Sequence, residues 1–459
     1  DIFSGGNQQY FYSRRIGRAP QRDASAPDSG FVDQPTSTTI LGAAKLTGRT
    51  AGGWSIGLLE AATAREYATL SDSLGQRSRE VVEPFTNYGV FRAKREFRGG
   101  ASTLGFIGTA VNRRIDDSRL DFLRSAAYAG GVDLSHRFSR NRFRATASLG
   151  YSYIGGDTSA IRQAQTSSAR NFQRPDATHV ELDPTRTSLM GWAGSLGFAR
   201  LQGNYTYSFS AGTTSPGFEI NDLGYQTRAD RISLSTQVQR RWTRPGRVFR
   251  SASVFAYVNS QWNYGGNRLS TMGEVYGYGE FLNYWSFNAM VYGNLRSLSD
   301  GLTRGGPLGV STGGWTTDVG ISSDYRKRLR FFFDVGLSRD DLGGWSISSY
   351  SQVMFRPTST VSLTFGPSYY ASLNPQQFVD KPLDATASAT YDRRYLFAEV
   401  LQRTLDLTTR VDITLSPTLS FQLYAQPFVA AGHYRRFKEL EAPRTTDFIV
   451  YGETPGSTL

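Results

Sequence analysis

Residues 142–153 read RFRATASLGYSY. Phe143, Ala145, Ala147, Leu149, Tyr151 and Tyr153 alternate with Arg142, Arg144, Thr146, Ser148, Gly150 and Ser152. A period of two residues is the signature of a β-strand with two unlike faces. One face here is apolar and ends in aromatics. The other is polar and begins with two arginines. This pattern constrains the fold because the chain repeats it from Thr38 onward. In YGVFRAKREFR, Phe91, Ala93 and Phe97 stand opposite Arg92, Lys94, Glu96 and Arg98. RISLSTQVQRRW sets Ile232, Leu234, Val238 and Trp242 against Arg231, Gln237, Gln239 and Arg241. WTTDVGISSDY, VSLTFGPSYYAS and TLDLTTRVDITLS keep the code. Roughly nineteen segments of about 10 to 15 residues follow it, and none is a convincing amphipathic helix. Long and short connections alternate, with the long ones near Ser71, Asp157, Ala211, Ser299 and Ser372. The phase is lost between Tyr391 and Thr404.

Two surroundings can accept the apolar face. In a soluble sandwich it meets another sheet, but strands there average about five to six residues and their cores pack large aliphatics tightly. These segments are about twice as long, and their apolar face is rich in Ala, Gly, Tyr and Phe. In an outer membrane, about ten tilted residues cross the hydrocarbon. Every backbone N–H and C=O must be paired there, so the sheet must close. Lipid accepts small side chains without jigsaw fit, and aromatics gather at strand ends. Tyr151, Tyr153, Trp242, Trp285 and Trp315 are the expected lipid-interface aromatics. The expectation is an all-β, closed antiparallel transmembrane barrel of roughly 20 strands over residues 37–459.

Composition agrees with this reading. No window approaches eighteen apolar residues, so a membrane helix is excluded. Aromatics at 13% argue against disorder. A mean hydropathy of −0.39 suits a barrel with a polar interior. Cysteine is absent, which rules out disulfides and thiolate metal sites and suits transit through an oxidising periplasm. The net charge of +12 is spread along strands and forms no single run, so no nucleic-acid partner is expected. His136, His179 and His433 lie far apart without metal-ligand spacing, and no nucleophile or phosphate-loop motif occurs, so neither an enzyme, a cofactor nor a metal is expected. His136 falls on the lipid-side register near a strand end. Glu274 and Glu280 share one strand face, and nothing in the sequence places a cleft beside them.

The inward basic set is Arg92, Lys94, Arg98, Arg142, Arg144, Arg231 and Arg241. It pairs with neighbours such as Glu96 and Asp133, or favours anionic solutes in a pore, or attaches an internal plug. Residues 1–36 are irregular and polar, without an apolar face. They form a plug, with Arg14, Arg15 and Arg18 bonded to wall carboxylates and carbonyls, or a flexible linker.

FYSRRIGRAPQ (11–21), ILGAAKLTGRTAGGWSIGLLEAATARE (40–66) and TNYGVFRAKREFRGGASTLGFIGTAVNR (86–113), with LSPTLSFQLYAQPF and FKELEAPRTTDF, resemble a family of bacterial proteins. In that family a domain of unknown function, expected to be an outer-membrane barrel, follows a domain like the family 9 carbohydrate-binding modules. The resemblance implies that such a module precedes Asp1. It also implies that a closing strand is missing beyond Leu459 or lies in the tail from Thr445. Localisation in the outer membrane of Gram-negative bacteria follows from the pattern. Three functions are open: a porin-like channel or transporter that passes or docks an anionic or carbohydrate-related solute; a membrane anchor or assembly subunit that displays a carbohydrate-binding or partner domain; and, last, an outer-membrane enzyme. The expected partners are outer-membrane lipid, other proteins of a complex, and carbohydrate through the preceding module. The loop 157–187 is expected to be the contact surface, because it is polar and free of barrel constraints.

Overall fold

The computed structural model describes Phe3, residues 8–26, residues 30–455 and Ser457. Twenty strands belong to one large antiparallel sheet. The chain divides into two compact units. Unit 1 holds residues 1–201, 209–234 and 262–266, and unit 2 holds 202–208, 235–261 and 267–459.

In unit 1 each strand pairs antiparallel with the next, from Ile40–Arg49 and Trp54–Thr63 through Thr86–Phe97, Ser102–Arg113, Arg124–Phe138 and Phe143–Gly156 to Ser188–Arg200. Connections at one end are tight turns, at 50–53, 98–101 and 139–142. Backbone chemistry explains them. Gly53, Gly99 and Gly100 sit at positive φ, where a Cβ is penalised. Ser139, Arg140 and Asn141 adopt positive φ in succession (52, 57 and 62°). The opposite end carries the long connections 64–85, 114–123 and 157–187. The first of these folds with Phe31–Asp33 into a separate small sheet containing Glu66–Ser71 and Arg77–Glu83.

In unit 2 the same meander runs through Arg268–Phe281, Ser286–Asn294, Gly314–Ser322, Leu329–Asp340, Trp345–Phe355, Val361–Asp380 and Leu396–Ser416. Leu419–Ala425 and Phe428–Leu440 both pair with Leu396–Ser416. They are two halves of one line, interrupted at Pro427, which has no N–H to give the ladder. Phe448–Val450 adds three residues against the end of Phe428–Leu440.

The two faces of the sheet differ as the alternation requires. Leu149, Tyr151 and Leu196 in unit 1, and Val275, Val291 and Val319 in unit 2, are exposed on one face. Gly150, Ser152 and Ile154 occupy the other face in unit 1 and are buried. Glu60 departs from the code. It lies on the apolar face near a strand end, where Asn87 Nδ2 donates to its carboxylate at 2.5 Å.

Four expectations need correction. The loop 157–187 contains an α-helix, Thr158–Thr166, capped by the Asp157 carboxylate, which accepts from Ser159 N at 2.8 Å. Its alternation signal is hidden because Ala160, Ile161 and Ala164 are only three apolar residues on a short helix. The stretch 391–404 is not a break. It opens the 21-residue strand Leu396–Ser416, whose first residues, Phe397, Ala398 and Val400, are buried apolar on both faces. Ala211 and Ser372 lie within strands, and the connections begin after Thr214 and Asp380. Residues 1–36 do have apolar anchors, because Phe3 and Tyr10 are buried.

Candidate functional site

The polar face of unit 1 is covered by its own chain. Residues 8–22 lie across it. Tyr10 packs against Gly131 and Gly150. A Cβ added at Gly150 would stand 1.6 Å from the Tyr10 hydroxyl, and one at Gly131 would stand 2.8 Å from it. Burial, then the charge of Asp133, pushes the Tyr10 phenol up to about 12. Tyr12 N donates to Leu223 O at 2.8 Å. Arg15 donates to Gly224 O at 3.1 Å and to Asn221 Oδ1 at 3.2 Å. The Arg18 carbonyl accepts from Thr38 Oγ1 at 2.7 Å. Gln21 donates twice to Glu83, at 2.8 and 2.9 Å. Arg22 donates to Val81 O at 3.0 Å and to Glu80 at 2.5 Å. Apart from Thr38, which precedes Ile40–Arg49, these anchors come from residues of the strands or of the long connections.

Below this segment the connections 157–187 and 215–230 meet the strand ends in a buried ion network. Asp222 accepts from Arg113 at 2.7 Å and from Arg124 at 2.6 Å. Glu219 pairs with Arg170 at 2.6 Å and with Arg124 at 3.5 Å. Arg170 also donates to Phe218 O. Burial by itself would raise the Asp222 carboxyl. The Arg124 and Arg113 guanidiniums outweigh it and hold the group well below the usual carboxylate range. Glu219 is lowered in the same way, against its own burial, by Arg124 and Arg170. His179 Nε2 and Asp230 Oδ2 stand 2.8 Å apart, and Tyr264 N donates to Asp230 Oδ1 at 2.9 Å. Nε and Nη2 of both Arg113 and Arg174 are buried without a hydrogen-bond partner among the described residues. A buried ion network with unused donors is weak evidence of added stability, although removing one partner from it is costly. Beside it opens a cleft of about 540 Å³ lined by His179, Glu181, Asp183, Arg186, Met190 and Gly217.

The polar face of unit 2 is different in kind. Asp318 stands opposite Gly336, and Asp334 stands opposite Gly320. Each carboxylate leans over the glycine of the neighbouring strand: Asp334 Oδ2 lies 2.7 Å from the position of a Cβ on Gly320, and Asp318 Oδ2 lies 3.3 Å from that on Gly336. Phe255 stacks on Tyr276 at 5.3 Å, and Phe332 tilts against Tyr350 at 5.8 Å. Arg250 pairs with Glu280 at 3.6 Å. Apart from the exposed Arg250 these side chains are half-buried, and the face combines acids with aromatic rings.

Residues 1–447 match the family described as domain of unknown function DUF5916. The chain belongs to that family. No curated protein matches it. Among solved structures it is similar to an anion-selective porin from Comamonas acidovorans, with 11% identity over 70% of this chain and 89% of that one and a TM-score of 0.29. A likeness so distant carries no argument about selectivity.

In this DUF5916 chain the basic residues singled out by sequence are not one constellation. Arg92 is buried and donates to Asp133 at 2.6 Å. Lys94 stands 3.5 Å from Glu96. Arg98, Arg142 and Arg144 are exposed near the tight-turn end of unit 1, and Arg144 lies directly opposite Arg137. Arg231 is half-buried and donates to Asp230 O at 2.8 Å. Arg241, in unit 2, donates to Gly203 O at 3.3 Å. Of the segment 1–36, Arg15 bonds a carbonyl and an amide oxygen of the connection 215–230, where wall carboxylates and carbonyls were expected; Arg14 is exposed, and Arg18 anchors through its backbone. Tyr151, Trp242, Trp285 and Trp315 are exposed, and Tyr153 stacks on Tyr128 at 6.1 Å. His136 lies beside Ser102 Oγ at 2.8 Å and stacks on Phe138. Arg113, Arg124, Arg170, Glu219 and Asp222 escaped the sequence reading. Their pairings span up to 109 residues, and no local motif announces them.

Proposed function

We propose that this chain is a channel-type barrel of the bacterial outer membrane, its large sheet closing on itself, with residues 1–36 and the connections 157–187 and 215–230 acting as an internal plug. The observation that carries the reading is the band of exposed large apolar side chains on one face of strand after strand, with polar or self-covered residues on the other face. Water would not tolerate that band on a monomer, and hydrocarbon would not tolerate an unclosed edge. A small polar solute is docked or passed. The exposed Arg142 and Arg144 favour an anion at the tight-turn end of unit 1.

The test is conductance in planar bilayers, with the full chain compared with one lacking residues 1–36. The expected result is a low conductance that rises on deletion. Unchanged conductance removes the plug. A chain that stays monodisperse in buffer without detergent removes the membrane reading altogether.

A second reading has its own support in the covered polar face of unit 1. A barrel filled in this way serves as an anchor or assembly subunit that holds a carbohydrate-binding or partner domain at the surface. Zero solute-dependent conductance, with or without residues 1–36, together with a stable complex on co-purification, favours the anchor.

A further inference from the structure

The connection 243–248 of unit 2 reads TRPGRV. Pro245 and Gly246 make it a turn, and Arg244 and Arg247 are exposed on it. Among the described residues neither has an ion-pair partner. Just before the turn, Arg240 lies over the rings of Trp242 at 4.6 Å and Tyr205 at 4.9 Å. Arg240 shares its strand face with Val238 and Trp242, which are exposed, so its charge is on the apolar side. A cation there is tolerated only near a headgroup layer or beside an anion.

Against this basic rim lies a groove of about 540 Å³. Trp242, Val248, Phe249, Val254 and Phe287 line it, and Gly277 forms its floor. A Cβ added at Gly277 would meet only Ala289 O and Val254 Cγ2, both at 4.0 Å, so the furrow exists because that position has no side chain. Phe249, Phe281 and Phe287 form a ring cluster at its end, with centroids 5.1 to 5.7 Å apart. Arg250 cannot supply the rim, because it is engaged with Glu280.

We propose that this groove binds one anionic phospholipid. The phosphate sits between Arg244 and Arg247, with Arg240 beside it, and an acyl chain lies along the Gly277 furrow. Guanidiniums match phosphate oxygens in a two-pronged geometry, and the groove offers an apolar trough on the face assigned to lipid. The end with short turns is the periplasmic end in barrels of this kind. The inference rests on the membrane reading of the preceding section.

The test uses the full chain in detergent with phosphatidylglycerol or phosphatidylcholine, read by native mass spectrometry, with insertion into vesicles followed in parallel. One phosphatidylglycerol should be retained, and phosphatidylcholine much less. The Arg244→Ser/Arg247→Ser variant should lose retention roughly thirtyfold, as two headgroup-level charges predict. Gly277→Leu should weaken retention by filling the furrow, whereas Gly277→Ala should not. Equal retention of the two lipids, or an unaffected double variant, overturns the proposal. Displacement of the lipid by excess inorganic phosphate also overturns it, because the acyl trough would then contribute nothing. If the chain inserts into vesicles without lipid selectivity, only this site fails. If it does not insert, the membrane reading fails with it.

Discussion

Units 1 and 2 are built from the same alternating strand, yet their polar faces have opposite fates. In unit 1 that face is covered. Tyr10 lies in the notch left by Gly131 and Gly150, and Phe3, Ile161, Phe172 and Leu223 share a buried cluster with Tyr88 and Ile154. In unit 2 the corresponding face carries Asp318, Asp334, Tyr276 and Tyr350, which are half-buried. The difference shows that alternation sets which side of a strand is polar, but not whether that side meets water or protein. The connections decide it. The ones that cover unit 1 hold a helix, and their Arg170, Glu219 and Asp222 join Arg113 and Arg124 of the strand ends in a single network.

The contrast breaks most visibly at Asp222. Asp222→Asn leaves Arg113 and Arg124 buried without their shared anion, and about 3–5 kcal/mol of unit 1 stability should go with it. Asp318→Asn in unit 2 should change stability by less than about 1 kcal/mol, because the side chain is half-buried and has no cationic partner to leave behind among the described residues. Denaturation of the two variants in detergent checks this. Equal losses would mean that the two faces are alike.

A smaller effect is expected at the glycines. Gly150→Ala places a methyl group on the Tyr10 hydroxyl and should cost about 1–3 kcal/mol as overpacking. It should also speed protease cleavage within residues 8–22. Gly277→Ala on the apolar face of unit 2 should stay within about 0.5 kcal/mol of the parent. Cleavage of the N-terminal segment at the parent rate in Gly150→Ala would show that Tyr10 does not hold it.

The response to pH sharpens the same contrast. Asp222 and Glu219 have folded pKa values below their unfolded ones. Their contribution is therefore complete above the ordinary carboxylate range of about 4 and is lost only as pH falls below it. Tyr10 is raised to about 12, so its contribution is complete below its unfolded pKa of about 10 and fades as pH climbs toward the folded value. Protection of the N-terminal segment from protease should thus hold across neutral pH and fail at both extremes. Failure near pH 6 would contradict the network.

The smallest change in stability belongs to Arg144→Gln. It relieves the like-charge pair with Arg137, and the shift should be within about 0.5 kcal/mol. Its use is in ion preference. With residues 1–36 removed, loss of this charge should reduce any preference for anions in bilayer recordings, and an unchanged preference would place the selective charges elsewhere.

How much of this was legible varies by region. The apolar register of Leu149, Tyr151, Val275 and Val319 could be read directly, because the two faces of a strand alternate residue by residue and the period of two records which face is apolar. The pairing of Arg92 with Asp133 was only partly within reach: both fall on the polar register, but on strands separated by Ser102–Arg113, and they meet over Gly105. The helix Thr158–Thr166 was missed because nine residues give too few turns for a period of 3.6 to stand out. The strand beginning at Leu396 was missed because a segment buried on both sides loses its alternation.

The sequence by itself determined the strand code, the side of each strand that turns to apolar surroundings, and the end of unit 1 that carries tight turns. These are local matters of side-chain period and backbone φ. Only the tertiary structure decided that Tyr10 fills the gap above Gly150, that Asp222 joins Arg113 to Arg124, and that Gly277 opens a furrow beside Arg244 and Arg247. Each of these depends on residues far apart in the chain or on the absence of a side chain at one point in space, and neither leaves a mark in a one-dimensional pattern.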